Sequence, residues 1–440
     1  MGRFDGGGWD SPRTMPRRAL AIVFAGCAIF ALLVAIFSNL VTHRFWGTAG
    51  ACGYGLAAVA ALGFRPGPSW LGRPGRSVGA GWLGRHSADV AVVVAIVGAL
   101  FVPLIWMAAT NQQQPEVMVV ARSAELLIHH GTVFEPDTTL SSTTNPNDFD
   151  PYLPLMAVFG LPKALFGTSV LTDPRVWFGV CFLIVFWVAL RRGGALDPGR
   201  WTLLVAGSPV VAFELAVGGT DVPMVAFLSL GFALLWNFRA VWPAGIALGI
   251  GAAMKSTAWP AVIIAFAFIV SCSPPTNSDR PPVAGWRAAW RFTGVVLAVL
   301  AVCVGPFLAT HPKSLIVNTI KFPLGLAHVT SQAASPLPGH LIADTGHLGH
   351  TIAIVLLVLV VLGIGVSLLV RPPRTVPAAC VRLVIALTLM FLMDPSTRFG
   401  YFIYPGSLLI WVLVCRAGRA ASEIRELPSP GGVPAGEPRL

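Results

Sequence analysis

The sequence predicts an all-α fold: a polytopic bundle of about 12 transmembrane helices, with a long first outer loop that contains amphipathic and re-entrant helices. Two observations predict it. The 440-residue chain is 55% hydrophobic and only 11% charged, whereas a soluble domain is about a quarter charged. Its apolar residues come in repeated runs of roughly 16 to 24, which at 1.5 Å per residue match a hydrocarbon layer of ~30 Å. Lipid offers backbone polar groups no partner but one another, so the runs are helices, and the alternating pattern of a membrane barrel is absent. The formal charge of +11 comes from arginines clustered between apolar runs. That layout is a topology signal and not a phosphate-tracking groove, so no nucleic-acid partner is expected.

Taken in order, the spans are 18–38, 46–64, 87–109, 175–190, 201–218, 221–237, 241–254, 257–271, 290–310, 351–370, 377–394 and 400–415. The stretch 152–167 is apolar but short, and Pro154 and Pro162 break it. Counted as a full span it would put Arg191, Arg192 and Arg200 outside. As a re-entrant or interfacial helix it leaves them inside, as the positive-inside rule prefers. With the N-terminus inside, the inner segments collect most of the 30 basic residues, and most of the 19 carboxylates fall outside. Both termini are then cytoplasmic, and 110–174 and 311–350 are long outer segments. Residues 1–17 form a cytoplasmic lead, 18–416 one membrane domain, and 417–440 a Pro- and Gly-rich tail that reads as disordered. The seven cysteines lie in or beside apolar spans with no CxxC pair, as small hydrophobes do. The first apolar run continues past Cys27 to Phe37, as a retained helix does and a cleaved signal does not.

Ionisable groups near membrane depth are costly and therefore candidates for function. Gln112-Gln113-Gln114-Pro115-Glu116 opens a segment to His130 with Val117, Val120, Ala124 and Leu127 on one face and Arg122 and Glu125 elsewhere. This predicts an amphipathic surface helix ended by Gly131. Asp148-Phe149-Asp150 has the DxD form that can hold a divalent metal; its competing reading is loop structuring through Asx turns. Glu214 and Gly218-Gly219-Thr220-Asp221 form either an anion-binding corner or a tight turn capped by Asp221. Lys255, between two apolar runs, must pair, snorkel or bind a ligand such as phosphate. The later outer segment holds His311, Lys313, Lys321, His328, His340, Asp344, His347 and His350. Their spacing is not a zinc spacing, which leaves phosphate or sugar hydrogen bonding, or solvated loop roles. Arg398, in Asp394-Pro395-Ser396-Thr397-Arg398-Phe399-Gly400-Tyr401, suits a phosphate, with a bridge to Asp394 as the structural alternative.

The order of these segments resembles the GT-C fold glycosyltransferases that use polyprenyl-phosphate sugars. They run from the acid that opens an amphipathic segment, through the Tyr152/Pro-rich entry, Gly-Gly-Thr-Asp and Ala-Gly-Ile-Ala-Leu-Gly-Ile-Gly-Ala-Ala-Met-Lys, to Arg-Phe-Gly-Tyr. The chain looks closest to the actinobacterial, mannosyltransferase-like membrane group of family 87, from about Gln112 to Tyr404. The resemblance implies inverting transfer of a sugar, mannose in that group, from a polyprenyl phosphate to a lipid or glycan acceptor of the cell envelope at the outer face. It also implies a carboxylate base at the start of the first outer helix. The matching position is Glu116, where the family's usual residue is aspartate, and Asp148 and Asp150 are the other candidates.

The residues make the same chemistry coherent. A lipid-phosphate donor needs cations for its phosphate, here Lys255 and Arg398 with His340 or His347 assisting and Asp221 beside them. Tyr152, Trp259 and Tyr404 are placed to stack on sugar faces or to form an interfacial belt. Phosphate is already a good leaving group, so no cofactor and no metal are expected. The competing readings are a transporter or flippase of a lipid-linked sugar, an envelope ligase or acyltransferase, and an inactive scaffold. A transporter would spread polar residues along a path through the membrane, whereas here they crowd on one side.

Overall fold

The computed structural model describes residues 16–63, 78–236, 241–272 and 284–426, with side chains for all of these except 78–86 and 425–426. Two apolar helices open the chain, α1 (Arg17–Phe37) and α2 (Val41–Leu62). α3 (Val78–Ile96) continues through a π turn, Val97–Phe101, into α4 (Val102–Ala109). Small residues let these helices touch through their backbones. A Cβ on Gly53, for instance, would stand 2.7 Å from Gly98 Cα.

The first outer segment then folds back as α5 (Pro115–His130), α6 (Asp137–Ser142), two 3-10 turns (Pro146–Asp148 and Pro154–Gly160) and α7 (Leu161–Phe166). α5 begins with Pro115 at its first turn and ends at Gly131, whose φ of 66° is a left-handed cap, as glycine permits. Val117, Val120 and Ala124 are buried as the periodicity predicts, but against the Pro154–Gly160 turn as well as toward the bundle. A Cβ on Gly160 would lie 2.4 Å from Val120 O and 2.8 Å from Ala124 Cβ. Gly160→Val is therefore expected to lift α5 from its seat, costing about 1–3 kcal/mol as overpacking does. Thermal unfolding in detergent measures that loss.

The rest of the bundle begins with α8 (Pro174–Gly193), α9 (Pro198–Ala206), α10 (Pro209–Val217), α11 (Val222–Trp236) and α12 (Trp242–Met254). A 3-10 turn, Ser256–Ala258, leads into α13 (Trp259–Ser271), followed by α14 (Trp286–Cys303), α15 (Gly305–Thr310) and α16 (Pro312–Ile316). After a π turn at Val317–Lys321 come α17 (Pro338–Ala343), α18 (His347–Val370), α19 (Val376–Met393), a 3-10 turn at Phe399–Phe402 and α20 (Ile403–Glu426). Among the described residues there is no strand, and the fold is a multi-pass helical membrane bundle.

Each of the 12 expected spans is helical, but they are not equivalent. Among the described residues, eight helices are long and apolar enough to cross a membrane, or nine if α9 and α10, bent by 59°, count as one. α11 has 15 residues and α12 has 13, about 20 Å of helix against a ~30 Å hydrocarbon layer. Their reduced length has a packing reason: α11 is buried on nearly every side against α8 and α12, so protein and not lipid surrounds it. Their ends carry Asp221 and Lys255, both buried in the body of the bundle.

At the C-terminus α20 runs to Glu426, beyond the boundary expected after Arg416. Arg419 and Glu423 sit one turn apart and attract, and the Ala- and Arg-rich sequence favours helix. The expected cytoplasmic lead 1–15 and the remainder of the tail, 427–440, lie outside the described residues.

Candidate active site

Four chain corners meet at one end of the bundle: the start of α5, the α10–α11 turn, the end of α12, and the α19–α20 connection. Backbone hydrogen bonds tie them to one another and to the segments around Leu153 and Ser335. Gln114 N donates to Val217 O (2.9 Å), Leu153 N to Met254 O (2.8 Å) and Ser335 N to Thr397 O (2.9 Å). They border an open cleft whose walls include Glu116, Tyr152, Lys255, Phe322, Arg398 and Tyr401.

Two ion pairs stand in this cleft. Arg398 Nη1 pairs with Glu116 Oε1, both side chains partly accessible, while Glu116 Oε2 is buried with no hydrogen-bond partner among the described residues. Deeper in, Lys255 Nζ donates to Asp221 Oδ1 at 2.8 Å, the two side chains being 9% and 8% exposed. The Tyr404 hydroxyl donates to the same Asp221 oxygen (2.9 Å) and lies 3.0 Å from Thr257 Oγ1. Lys255 also faces the rings of Tyr401 and Tyr152, 4.7 and 5.4 Å from their centroids, a favourable setting for a desolvated ammonium. Thr220 donates to the Tyr152 hydroxyl at 3.1 Å. Glu214 lies beneath the corner: a Cβ on Gly400 would meet its carboxylate at 2.1 Å, which is why the residue after Phe399 is a glycine. Asp394 accepts from Ser396 N (2.9 Å), and burial pushes its carboxyl up to about 7.

The structure brings together Glu116, Tyr152, Asp221, Lys255 and Arg398, and sets other candidates apart. Arg398 pairs with Glu116, so the alternative bridge to Asp394 is not formed. Tyr404 is fully buried behind Asp221, so its ring presents no face to a sugar; its hydroxyl holds the carboxylate instead. Trp259 donates its indole N–H to Ala252 O (3.1 Å) away from the cleft. His340 Nδ1 contacts Pro395 O at 2.9 Å and supports the α19–α20 connection without lining the cleft. His347 is exposed at the start of α18. His328 caps Thr143 O (2.9 Å), and His311 and Lys313 line a second recess beside Glu135 and Asp137.

Neither DxD carboxylate lines the cleft; both hold its wall. Asp148 accepts from Thr143 Oγ1 (2.5 Å) and Asn145 Nδ2 (3.1 Å) and faces Arg122 at 3.6 Å. Asp150 is buried, accepts from Tyr152 N at 2.9 Å, and its own N–H donates to Asn318 Oδ1 at 2.7 Å. Burial raises the Asp150 carboxyl to about 6 against these hydrogen bonds. Ser123 Oγ lies 2.9 Å from Val119 O and 2.5 Å from Asp150 Oδ2, and a hydroxyl has one proton for two acceptors. While Asp150 is ionised the two acceptors share that proton; once Asp150 is protonated it can donate to Ser123, which then donates onward to Val119 O.

The sign follows from the raised value. The folded protein binds this proton more tightly than the unfolded chain, so stability falls as pH rises from about 4 to 6 and is level above. Asp150→Asn is expected to flatten that slope by about 3 kcal/mol. Melting temperatures across this pH range check it, and an unchanged slope would refute it. Among the described residues no group of three or more His, Cys, Asp or Glu is arranged to hold a metal ion.

Sequence reasoning passed over Arg175. It is fully buried, pairs with Asp173 through Nε and Nη2 (2.9 and 2.7 Å), and donates to Gln112 O (3.1 Å) and Ala216 O (2.8 Å). This clamp fixes the segment that leads into Glu116 against α8 and α10. The available signal was an arginine at the outer edge of the expected span 175–190, against the sorting of charge. Gln114, whose side chain meets His43, adds a second anchor two residues before Glu116.

A model of glycosyltransferase family 87 matches residues 151–395, more than half of the chain; Tyr152, Asp221 and Lys255 fall within the match, and Glu116 and Arg398 flank it. No curated protein matches the chain. Among solved structures, the crystal structure of ArnT from Cupriavidus metallidurans in the apo state aligns with a TM-score of 0.44 and 15% identity, covering 76% of this chain and 60% of that one.

Proposed function

Because the chain belongs to glycosyltransferase family 87, we propose that this membrane glycosyltransferase moves a sugar from a polyprenyl phosphate to an acceptor hydroxyl, with the cleft between α5 and the α19–α20 corner as its active site. The observation that supports the reading is that one underused carboxylate and two cations share that cleft: Glu116, with an oxygen that has no partner among the described residues, its ion-pair partner Arg398, and Lys255, which pairs with Asp221.

The chemistry assigned to these residues is inverting. The acceptor oxygen attacks the anomeric carbon from the face opposite the phosphate, its proton passes to Glu116, and the bond between the anomeric carbon and the phosphate oxygen breaks. The electron pair leaves with the phosphate, where Arg398 and Lys255 stabilise the growing negative charge. Asp221 holds the Lys255 ammonium in place, Tyr152 forms the wall beside the sugar, and the prenyl tail lies along the apolar helix faces open to lipid. The proposed sugar is mannose and the proposed acceptor a lipid or glycan of the cell envelope.

The test is transfer of label from polyprenyl-phosphate-[¹⁴C]mannose to an envelope-lipid extract by the purified protein in lipid. A labelled product supports the reading. Intact mannose donor with turnover of another polyprenyl sugar would correct the sugar alone, and silence across a panel of polyprenyl sugars would overturn the reading. Both termini are proposed to be cytoplasmic and the cleft external. Gln332, exposed at the cleft rim, gives the check: Gln332→Cys should react with a membrane-impermeant maleimide in intact cells well above the wild-type background. Reaction only after lysis would reverse the orientation.

A further inference from the structure

The cations of the cleft are already paired. Lys255 is bound to Asp221, and Arg398 to Glu116. An arriving phosphate therefore meets a site that is formally neutral and must displace a carboxylate from one of the two. The pairs are unequal. Asp221 is held by the Tyr404 hydroxyl as well as by Lys255, and both of its partners are buried. The Arg398 and Glu116 side chains remain 27% and 16% exposed, and Glu116 Oε2 has no hydrogen-bond partner among the described residues. Exchange costs least at the second pair, because its members keep access to water and only one carboxylate oxygen is engaged.

We infer that Arg398 serves two anions in turn: in the empty site it engages Glu116, and a phosphate head group entering the cleft draws it away and frees Glu116 to accept a hydroxyl proton. This rests on the glycosyltransferase reading and adds an order of events to it. The carboxylate becomes free only when the phosphate is in place, so the acceptor hydroxyl finds its proton acceptor after the donor has bound. Before that, water in the cleft meets an engaged carboxylate. Glu116 is therefore a competitor for donor binding as well as the base. Part of the intrinsic affinity of Arg398 for phosphate is spent in breaking the pair, since binding is weakened by the fraction of Arg398 that is free in the empty site.

The experiment is equilibrium binding of sugar-free polyprenyl phosphate to the full chain in lipid nanodiscs at about 0.15 M salt, where an exposed charge is screened beyond ~8 Å. Glu116→Gln is expected to bind it about tenfold more tightly than wild type, corresponding to about 10% free Arg398 in the empty site, although it cannot catalyse transfer. Glu125→Gln, a change of equal charge on the exposed side of α5, is expected to bind as wild type does. Arg398→Ala combined with Glu116→Gln should lose the gain. Affinity unchanged or weaker in a folded Glu116→Gln protein, or an equal gain in Glu125→Gln, would overturn the exchange while leaving the glycosyltransferase reading intact. Failure of wild type to bind polyprenyl phosphate would overturn both. Inorganic phosphate, run in parallel, separates the sources: a gain with it and none with the lipid would show that the exchange does not serve a lipid donor.

Discussion

Glu116→Gln should lower the rate of sugar transfer by about 10³-fold, within the range that a positioned general base contributes, and leave the protein folded. The amide has the shape of the carboxylate and cannot take a proton. The cost to stability should be small, because the ion pair it removes is partly exposed and such pairs are worth about 0–1 kcal/mol. α5 is positioned by other means: its apolar face, Gly160, and the Gln114 N–H on Val217 O. Single-turnover transfer of labelled sugar reads the rate, and detergent melting reads the fold. A rate within tenfold of wild type would remove Glu116 from proton transfer. Asp148→Asn and Asp150→Asn are the comparison, since both carboxylates are engaged by Thr143, Asn145, Ser123 and the Tyr152 N–H. Any loss in those two should track stability, not the chemical step.

The second large effect falls on stability. Lys255→Met is expected to destabilise the protein by about 3–5 kcal/mol, the usual result of stranding one member of a buried ion pair. Asp221 would then keep only the Tyr404 hydroxyl, in a place that is 6% exposed. Adding Asp221→Asn should restore most of the lost stability, because replacing both charges leaves nothing unpaired. Donor binding should not recover with it, since the cation facing the cleft is still missing. Thermal melts and polyprenyl-phosphate binding on the single and double variants separate the two contributions. Recovery of binding together with stability would confine Lys255 to a structural role.

Several features were legible in the chain because they are local. The run lengths gave the helices, and proline at a first helical position with glycine past the end bounded α5. The neighbours Gly218-Gly219-Thr220-Asp221 and Ala253-Met254-Lys255 announced polar corners in apolar surroundings. Other features were not legible because they are relations between distant segments. Nothing near Asp148 or Asp150 in sequence says that Arg122, Ser123 and Asn318 will engage them and turn a metal-like motif into a wall. The histidines of the later outer segment looked like a cluster, yet the chain disperses them among separate corners. Arg175 stands at the edge of an apolar run, and only the fold shows its four contacts.

By itself the sequence determined the solvent, the helices and the short list of charged residues that must find partners. Run length and apolar content fix these, and both are properties of contiguous residues. Only the tertiary structure decided who pairs with whom. Glu116 meets Arg398 and Lys255 meets Asp221 across 34 residues or more of chain. The physical reason is that a charge withdrawn from water takes the opposite charge that packing brings within reach, and helix crossings and short, buried helices, not sequence distance, set that reach.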